Sequence, residues 1–160
     1  MIVVADTSPL NYPIQIDCDI FLPQLYRRVV VPSGVMWELG HTDAPASVAA
    51  WLTHIPAWLD VRVTGSQPDA GLASLGLGER EAIQLAEEEH ADLILMDERK
   101  GRLEAKRRGL ITTGTLGVLL TAGELGLIDP QNAYCRLIAE TTFRTSASLE
   151  TQFLGQLRPL

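Results

Sequence analysis

Ile2-Val3-Val4-Ala5-Asp6 is a short apolar run that ends on an acid, and the same pattern returns at Leu93-Ile94-Leu95-Met96-Asp97. Runs this short and this rich in Val, Ile and Leu read as strands buried on both faces, as in parallel sheets. Further strands are expected at Val29–Val31, Val61–Val63 and Leu110–Thr112. Helical patterns lie between them. Pro32 suits a first turn ahead of Val35, Met36 and Leu39, and Ala46–Thr53 carries Val48, Trp51 and Leu52. Glu79 to His90, Arg99 to Arg108 and Thr115 to Glu124 read as longer helices, the last two stopped by Gly109 and Gly126. Thr64–Leu77, with its Gly and Pro residues, reads as a loop. Strands alternating with helices predict an α/β fold: right-handed crossovers, a mostly parallel sheet of about five strands, and helices on both faces. The tail departs from this rhythm. Asp129-Pro130 opens a helix to about Glu140, and Ser146 caps another to about Leu157. The expected organisation is a domain over residues 1–128 and a helical extension over 129–160, packed on that domain or on a partner.

The 160 residues suffice for one hydrophobic core, and 46% hydrophobic against 21% charged residues is globular composition. No apolar run reaches the roughly eighteen residues of a membrane helix, so no membrane association is expected. The opening residues lack a secretory signal, and Cys18 and Cys135 are too far apart for a close thiolate pair. A cytoplasmic location is therefore expected. A net charge of −7 argues against electrostatic coating of nucleic acid. Even so, Arg99, Lys100, Arg102, Lys106, Arg107 and Arg108 fall within ten positions and provide a local positive face. The acidic remainder suits a basic protein partner.

In open parallel sheets, ligands bind outside the carboxyl ends of the strands. Asp6 and Asp97 each follow a strand directly, with Glu98 next to the latter. Glu79 begins a helix on the same edge, and its spacing to Ile83 and Ala86 points it inward. Glu38, three residues beyond Val35, also points inward. Two like charges about 4 Å apart repel by roughly 4 kcal/mol at an effective dielectric near 20. Four carboxylates stay ionised together only around a cation; otherwise some take up protons. Oxygen ligands without His or Cys favour Mg²⁺ or Mn²⁺ over zinc. The chemistry such a site performs is metal-assisted attack of water on a phosphodiester.

Each acid also has a plain structural reading. A strand-closing Asp can be a turn former or cap, Glu79 can favour the helix dipole, and Glu38 can pair with a Lys or Arg. Glu87, Glu88 and Glu89 read as a solvated helix end, and the three tryptophans read as packing residues. Thr113, Gly114, Thr115 and Gly117 suit either a phosphate cradle at a helix start or a tight strand-to-helix turn.

Val3-Val4-Ala5-Asp6-Thr7-Ser8-Pro9-Leu10 resembles the opening of PIN-domain proteins. Val29-Val30-Val31-Pro32 with Glu38-Leu39, Leu75-Gly76-Leu77-Gly78-Glu79-Arg80-Glu81-Ala82-Ile83, and Leu93–Glu98 continue the resemblance. Thr113-Gly114-Thr115-Leu116-Gly117 extends it toward the VapC-like subgroup of that family, over roughly residues 1–128. The resemblance implies a three-layer PIN-like sandwich and a metal-dependent endoribonuclease, in many relatives the toxin of a type II toxin–antitoxin pair. It implies an acidic quartet of Asp6, Glu38, Glu79 and Asp97 for Mg²⁺ or Mn²⁺, with Glu98 as a further ligand. RNA is the implied substrate, held by Thr7, Ser8, Arg99, Lys100 and Arg102. The products would carry a 5′-phosphate and a 3′-hydroxyl. A small antitoxin and a second copy of the chain are the implied protein partners.

The sequence departs from that family at three places. Glu98 replaces a second Asp, Leu95 and Met96 replace a hydroxyl residue near the last acid, and Pro13 falls in the expected first helix, where it should displace the start or kink the helix. Two other readings stand beside the nuclease. One is a small-molecule phosphatase with Asp6 as nucleophile, although Ser8 stands where such enzymes want a second Asp. The other is a non-catalytic module of PIN fold whose acids attract a basic protein.

Overall fold

Val3, Val4 and Ala5 are wholly buried, and their side chains divide between two cores. Val3 and Ala5 join one apolar cluster, and Val4 joins the other. This is what period-two alternation demands of a strand covered on both sides. The computed structural model describes residues 1–157, and in it this strand, β1 (Val3–Ala5), is the centre of a five-stranded sheet. The others are β2 (Val29–Pro32), β3 (Leu59–Arg62), β4 (Leu93–Leu95) and β5 (Thr112–Thr113), in the order β3-β2-β1-β4-β5. Every pairing is parallel, with Val4 opposite Val30 on one side and Ile94 on the other.

Helices cover both faces. α1 (Ser8–Gln15), α2 (Phe21–Tyr26), α4 (Ala46–Leu52), α7 (Thr115–Glu124), α8 (Pro130–Glu140) and α9 (Ala147–Gln156) contribute to the larger core. α5 (Leu77–Glu88) and α6 (Arg99–Arg107) close the opposite face with Ile83, Leu85 and Ala105. α3 (Ser33–Leu39) follows β2 and packs mainly on α5. Tyr134, Leu137, Phe143 and Phe153 from the tail lie in the same core as β1. Asp129 accepts from the amides of Gln131 and Asn132, and Ser146 accepts from Leu149, so both tail helices are capped as expected. Among the described residues no helix is long and apolar enough to cross a membrane.

Three local expectations shift, and one helix has no counterpart in the sequence reading. β3 starts at Leu59, two residues before the expected strand, because it is an edge strand that buries Leu59 and turns Val61 outward. β5 is Thr112–Thr113, since Thr112 and Thr113 pair with Ile94 and Leu95 while Ile111 is 67% exposed. α2 carries no periodicity long enough to read: six residues anchored by Phe21, Leu22 and Tyr26. Pro13 lies inside α1 without displacing its start at Ser8. It has no N–H to give to Pro9, but the helix ends two residues later.

The order β3-β2-β1-β4-β5 reverses direction at β1, because β4 returns to the free side of the first strand. The carboxyl ends of β1 and β4 therefore open side by side at the topological switch point. Asp6 and Asp97 follow those two strands.

Candidate functional site

Asp6 extends the β1 ladder by one residue, its amide donating to the Leu95 carbonyl at 2.9 Å. That bond turns the carboxyl group into the interior, where it is 4% exposed. Its Oδ1 is buried without a hydrogen-bond partner, one of two such side-chain atoms among the described residues. Burial pushes the Asp6 carboxyl up to about 7, against a lowering hydrogen bond with the Thr7 backbone. The negative charges of Glu79, Glu38 and Asp97 add to the rise. An isolated buried carboxylate is costly, so this oxygen needs either a proton or a cation.

Glu38 is carried in by α3 and held at both oxygens. Its Oε1 accepts from the Gly78 amide at 2.8 Å, and its Oε2 accepts from the Thr7 hydroxyl. No Lys or Arg pairs with it among the described residues. Gly78 explains why α5 can come so close. A Cβ there would stand 2.6 Å from Glu38 Oε2 and 2.9 Å from both Asp6 Oδ1 and Thr7 Oγ1. Asp6 and Glu38 thus present oxygens to one small shared space that any larger residue would fill. Glu79 is half-buried in the first turn of α5, and its side chain folds back to accept from the Gly76 amide at 3.3 Å. Burial raises its pKa, opposed by that bond, with Glu98 and Glu38 adding to the rise and Lys100 lowering it.

Asp97 is held differently. Its Oδ1 accepts from the Thr115 amide and its Oδ2 from the Thr115 hydroxyl, both at 2.6 Å. The N-terminus of α7 thus receives the Asp97 carboxylate itself as its anion. The Thr113–Gly117 segment works as a strand-to-helix turn that grips an acid. Gly114 permits it, because a Cβ would lie 2.7 Å from Asp97 Oδ1. Burial raises the Asp97 pKa, while the two Thr115 bonds and nearby Arg102 hold it back.

Ser8 is the first residue of α1, and its hydroxyl shows no bond to the acids. Glu98 is exposed at the start of α6 and reaches the cluster only through its field at Glu79. Arg99 and Lys100 are exposed beside it, and Arg102 is half-buried next to Asp97.

The basic run divides in two. Arg107 pairs with Glu104, and Arg108 pairs with Asp69, Glu87 and Glu104. Glu88 accepts from the amides of Gly65 and Ser66, and Glu89 pairs with Arg62. The Glu87–Glu89 segment therefore ties down the 64–76 loop and β3 instead of facing water unpaired. Trp51 donates to Asp19 at 2.9 Å and packs by Trp58. Trp37 differs, being 64% exposed and edge-on to His41.

Among the described residues no three Asp, Glu, His or Cys side chains converge tightly enough to enclose an ion. Magnesium does not need that: it is commonly held by one or two carboxylates, with water and substrate phosphates completing its shell. The orphaned Asp6 Oδ1 and the neighbouring Glu38 Oε2 fit that open arrangement. Glu79 and Asp97 supply further negative field.

The family model described as "DUF3368: PIN domain" matches residues 2–158. Among solved structures the chain is similar to a PilT N-terminus domain protein from the hyperthermophilic archaeon Sulfolobus solfataricus P2. The two are 19% identical, with a TM-score of 0.53 over 76% of this chain and 93% of that one. That likeness concerns the fold. No curated protein matches.

Proposed function

The chain belongs to the PIN-domain family, a nuclease fold family, and on that premise we propose that it is a Mg²⁺- or Mn²⁺-dependent endoribonuclease. The observation that carries the reading is the buried, unpartnered Asp6 Oδ1, facing Glu38 across a space kept open by Gly78. Asp6 and Glu38 would hold the ion, with Glu79, Asp97 and Glu98 around them. A bound divalent ion supplies charge stabilisation at a phosphoryl oxygen and eases deprotonation of water.

The chain's own groups do the rest. Thr7 and Gly78 fix the Glu38 carboxylate, so it cannot swing away when substrate enters. Thr115 fixes Asp97 in the same way. Arg99, Lys100 and Arg102 stand on the side where a phosphodiester would approach, offsetting its charge beside an acidic cluster that would otherwise repel it. The toxin role of a type II pair, with a small antitoxin covering the site, rests on the order of the motifs and is part of the same proposal.

The test is cleavage of a mixed RNA pool with Mg²⁺ or Mn²⁺, beside Asp6→Asn and Asp97→Asn. The parent should cut, chelation should stop it, and each variant should lose at least about a hundredfold, the scale of a lost electrostatic contact to the transition state. Variants that cut as fast as the parent would refute the assignment.

A further inference from the structure

We propose that the groove between α6 and the 143–149 segment is the binding track for single-stranded RNA, with Lys106 and Arg144 as phosphate-holding residues. This rests on the nuclease reading above and extends it to a part of the chain outside the acidic cluster. The groove has a volume of about 760 Å³, and Asp97 lies in its lining. A chain laid in it therefore leads to the acids.

Charge is the first argument. Arg99, Arg102 and Lys106 line the groove from α6, where positions three and four residues apart share a face. Arg144 lines it from the segment leading to α9. Among the described residues none of these four takes part in an ion pair. Arg28, Arg62, Arg107, Arg108 and Arg136 do; Arg27, Arg80 and Lys100 are also unpaired among the described residues but lie elsewhere, so the observation that counts is four such cations gathered on one lining. A protein with net charge −7 has ample carboxylates to neutralise its cations, yet those on this groove are left unpaired. Asp97 is the one acid in the lining, and Thr115 already occupies both its oxygens.

The second argument is the floor. Leu103 on α6 is 57% exposed and Leu149 on α9 is 45% exposed, and both line this groove. Cations at the rim with apolar surface between them match a phosphate backbone whose unpaired bases turn inward. An acidic peptide would satisfy the rim but has no planar groups for that floor. The hydroxyls of Thr145 and Ser148 add donors on the Arg144 side.

The experiment measures binding of fluorescein-labelled oligouridylate by anisotropy in chelator, where nothing is cut. Affinity is followed between about 50 and 200 mM salt for the parent and Lys106→Ala/Arg144→Ala. Both side chains are exposed, and Arg144 also donates to the Phe143 carbonyl, so Lys106→Ala/Arg144→Gln serves as a second variant that keeps a donor there. Arg28→Ala, set against Lys106→Ala alone, is the charge-matched control, since Arg28 precedes β2 at the amino-terminal ends of the strands, away from the acids.

Two lost phosphate contacts should reduce the slope of log K against log salt by about 1.4 for a single strand, with affinity weakened by roughly tenfold or more at low salt. Arg144→Lys should restore most of it. An unchanged slope and affinity, or an equal loss in Arg28→Ala, overturns the proposal. So does displacement of the RNA by polyglutamate at equal concentration. The two readings separate cleanly. RNA cleavage untouched by the double variant refutes the groove and leaves the nuclease. RNA bound through Lys106 and Arg144 but never cut with any divalent ion refutes the nuclease and leaves the groove.

Discussion

Asp6→Asn should make the protein more stable while removing its activity, and the gain should depend on pH in a way set by one carboxyl group. Asp6 titrates at about 7 in the fold against 3.8 for an ordinary aspartate, chiefly through burial. At about 1.36 kcal/mol per unit, that difference corresponds to roughly 4 kcal/mol. A raised carboxylate leaves full stability below the unfolded pKa and loses it as pH climbs to the folded one. The advantage of Asn over Asp should therefore be near zero below about pH 4 and grow by about 1.4 kcal/mol per pH unit. Above about pH 7 it should level off. The expected plateau is about 4 kcal/mol above the low-pH value, and any partner the amide fails to find beside Glu38 and Thr7 lowers both ends of the curve equally. Asp97 and Glu79 are also raised, but their own burial is common to both proteins and cancels in the difference, leaving only their repulsion of the Asp6 charge, which the value of about 7 already contains. Urea unfolding at a series of pH values in chelator measures it. Adding Mn²⁺ at pH 8 should stabilise the parent more than the variant and narrow the gap. A variant no more stable than the parent at pH 8, or a gain independent of pH, would sink the account of Asp6.

Three further substitutions probe the supports of the site. Gly78→Ala should abolish cleavage and cost about 1 to 3 kcal/mol, because the new methyl group meets Glu38 and Asp6 below 3 Å; wild-type rates in this variant would show that the shared space is not used. Thr115→Val removes the hydroxyl bonded to Asp97 Oδ2 and should lower stability by about 1 to 3 kcal/mol in chemical denaturation, together with a drop in kcat; Thr115→Ser should restore both. Arg108→Ala takes the shared cation from Asp69, Glu87 and Glu104, so limited proteolysis should find new cuts within residues 64–76 while the acidic site keeps its activity; an unchanged digestion pattern would contradict that role.

The sequence disclosed most where burial is complete. β1, β2 and β4 are buried apolar runs with no competing reading, and the acids that follow β1 and β4 inherit their places from them. It was less legible where a residue's partner lies far along the chain. Nothing local to Glu87–Glu89 announces Arg108, the Gly65–Ser66 amides or Arg62. Thr115 reads equally as a turn former or a phosphate contact, and only the approach of α7 to β4 selects Asp97 as its ligand. Gly78 reads as a permissive helix start; its real constraint is steric, set by two carboxylates from other elements. The edge strand β3 was displaced by two residues because exposed Val61 and Val63 look in sequence like buried ones.

The four acids are restrained to different degrees, and that inequality bears on how the site would respond to an ion. Asp97 has both oxygens satisfied, Glu38 has both satisfied, and Glu79 keeps one contact to the Gly76 amide. Asp6 alone carries a buried oxygen with no donor. Hydrogen bonds have already offset much of the cost of burying the first two carboxylates, so a cation would gain most at Asp6, where the Thr7 backbone bond offsets only part of the desolvation and of the three neighbouring charges. The fold thus concentrates its electrostatic strain on one atom at the switch point of the sheet. Strain of that kind persists in a marginally stable protein when the atom has work to do. By the same reasoning, Asp97→Asn should release less stability than Asp6→Asn at pH 8, because the Asp97 carboxylate already has a donor at each oxygen and Asp6 Oδ1 has none, so removing the charge at 97 relieves less. Equal gains from the two variants would mean that burial alone, and not the missing donor, governs the site.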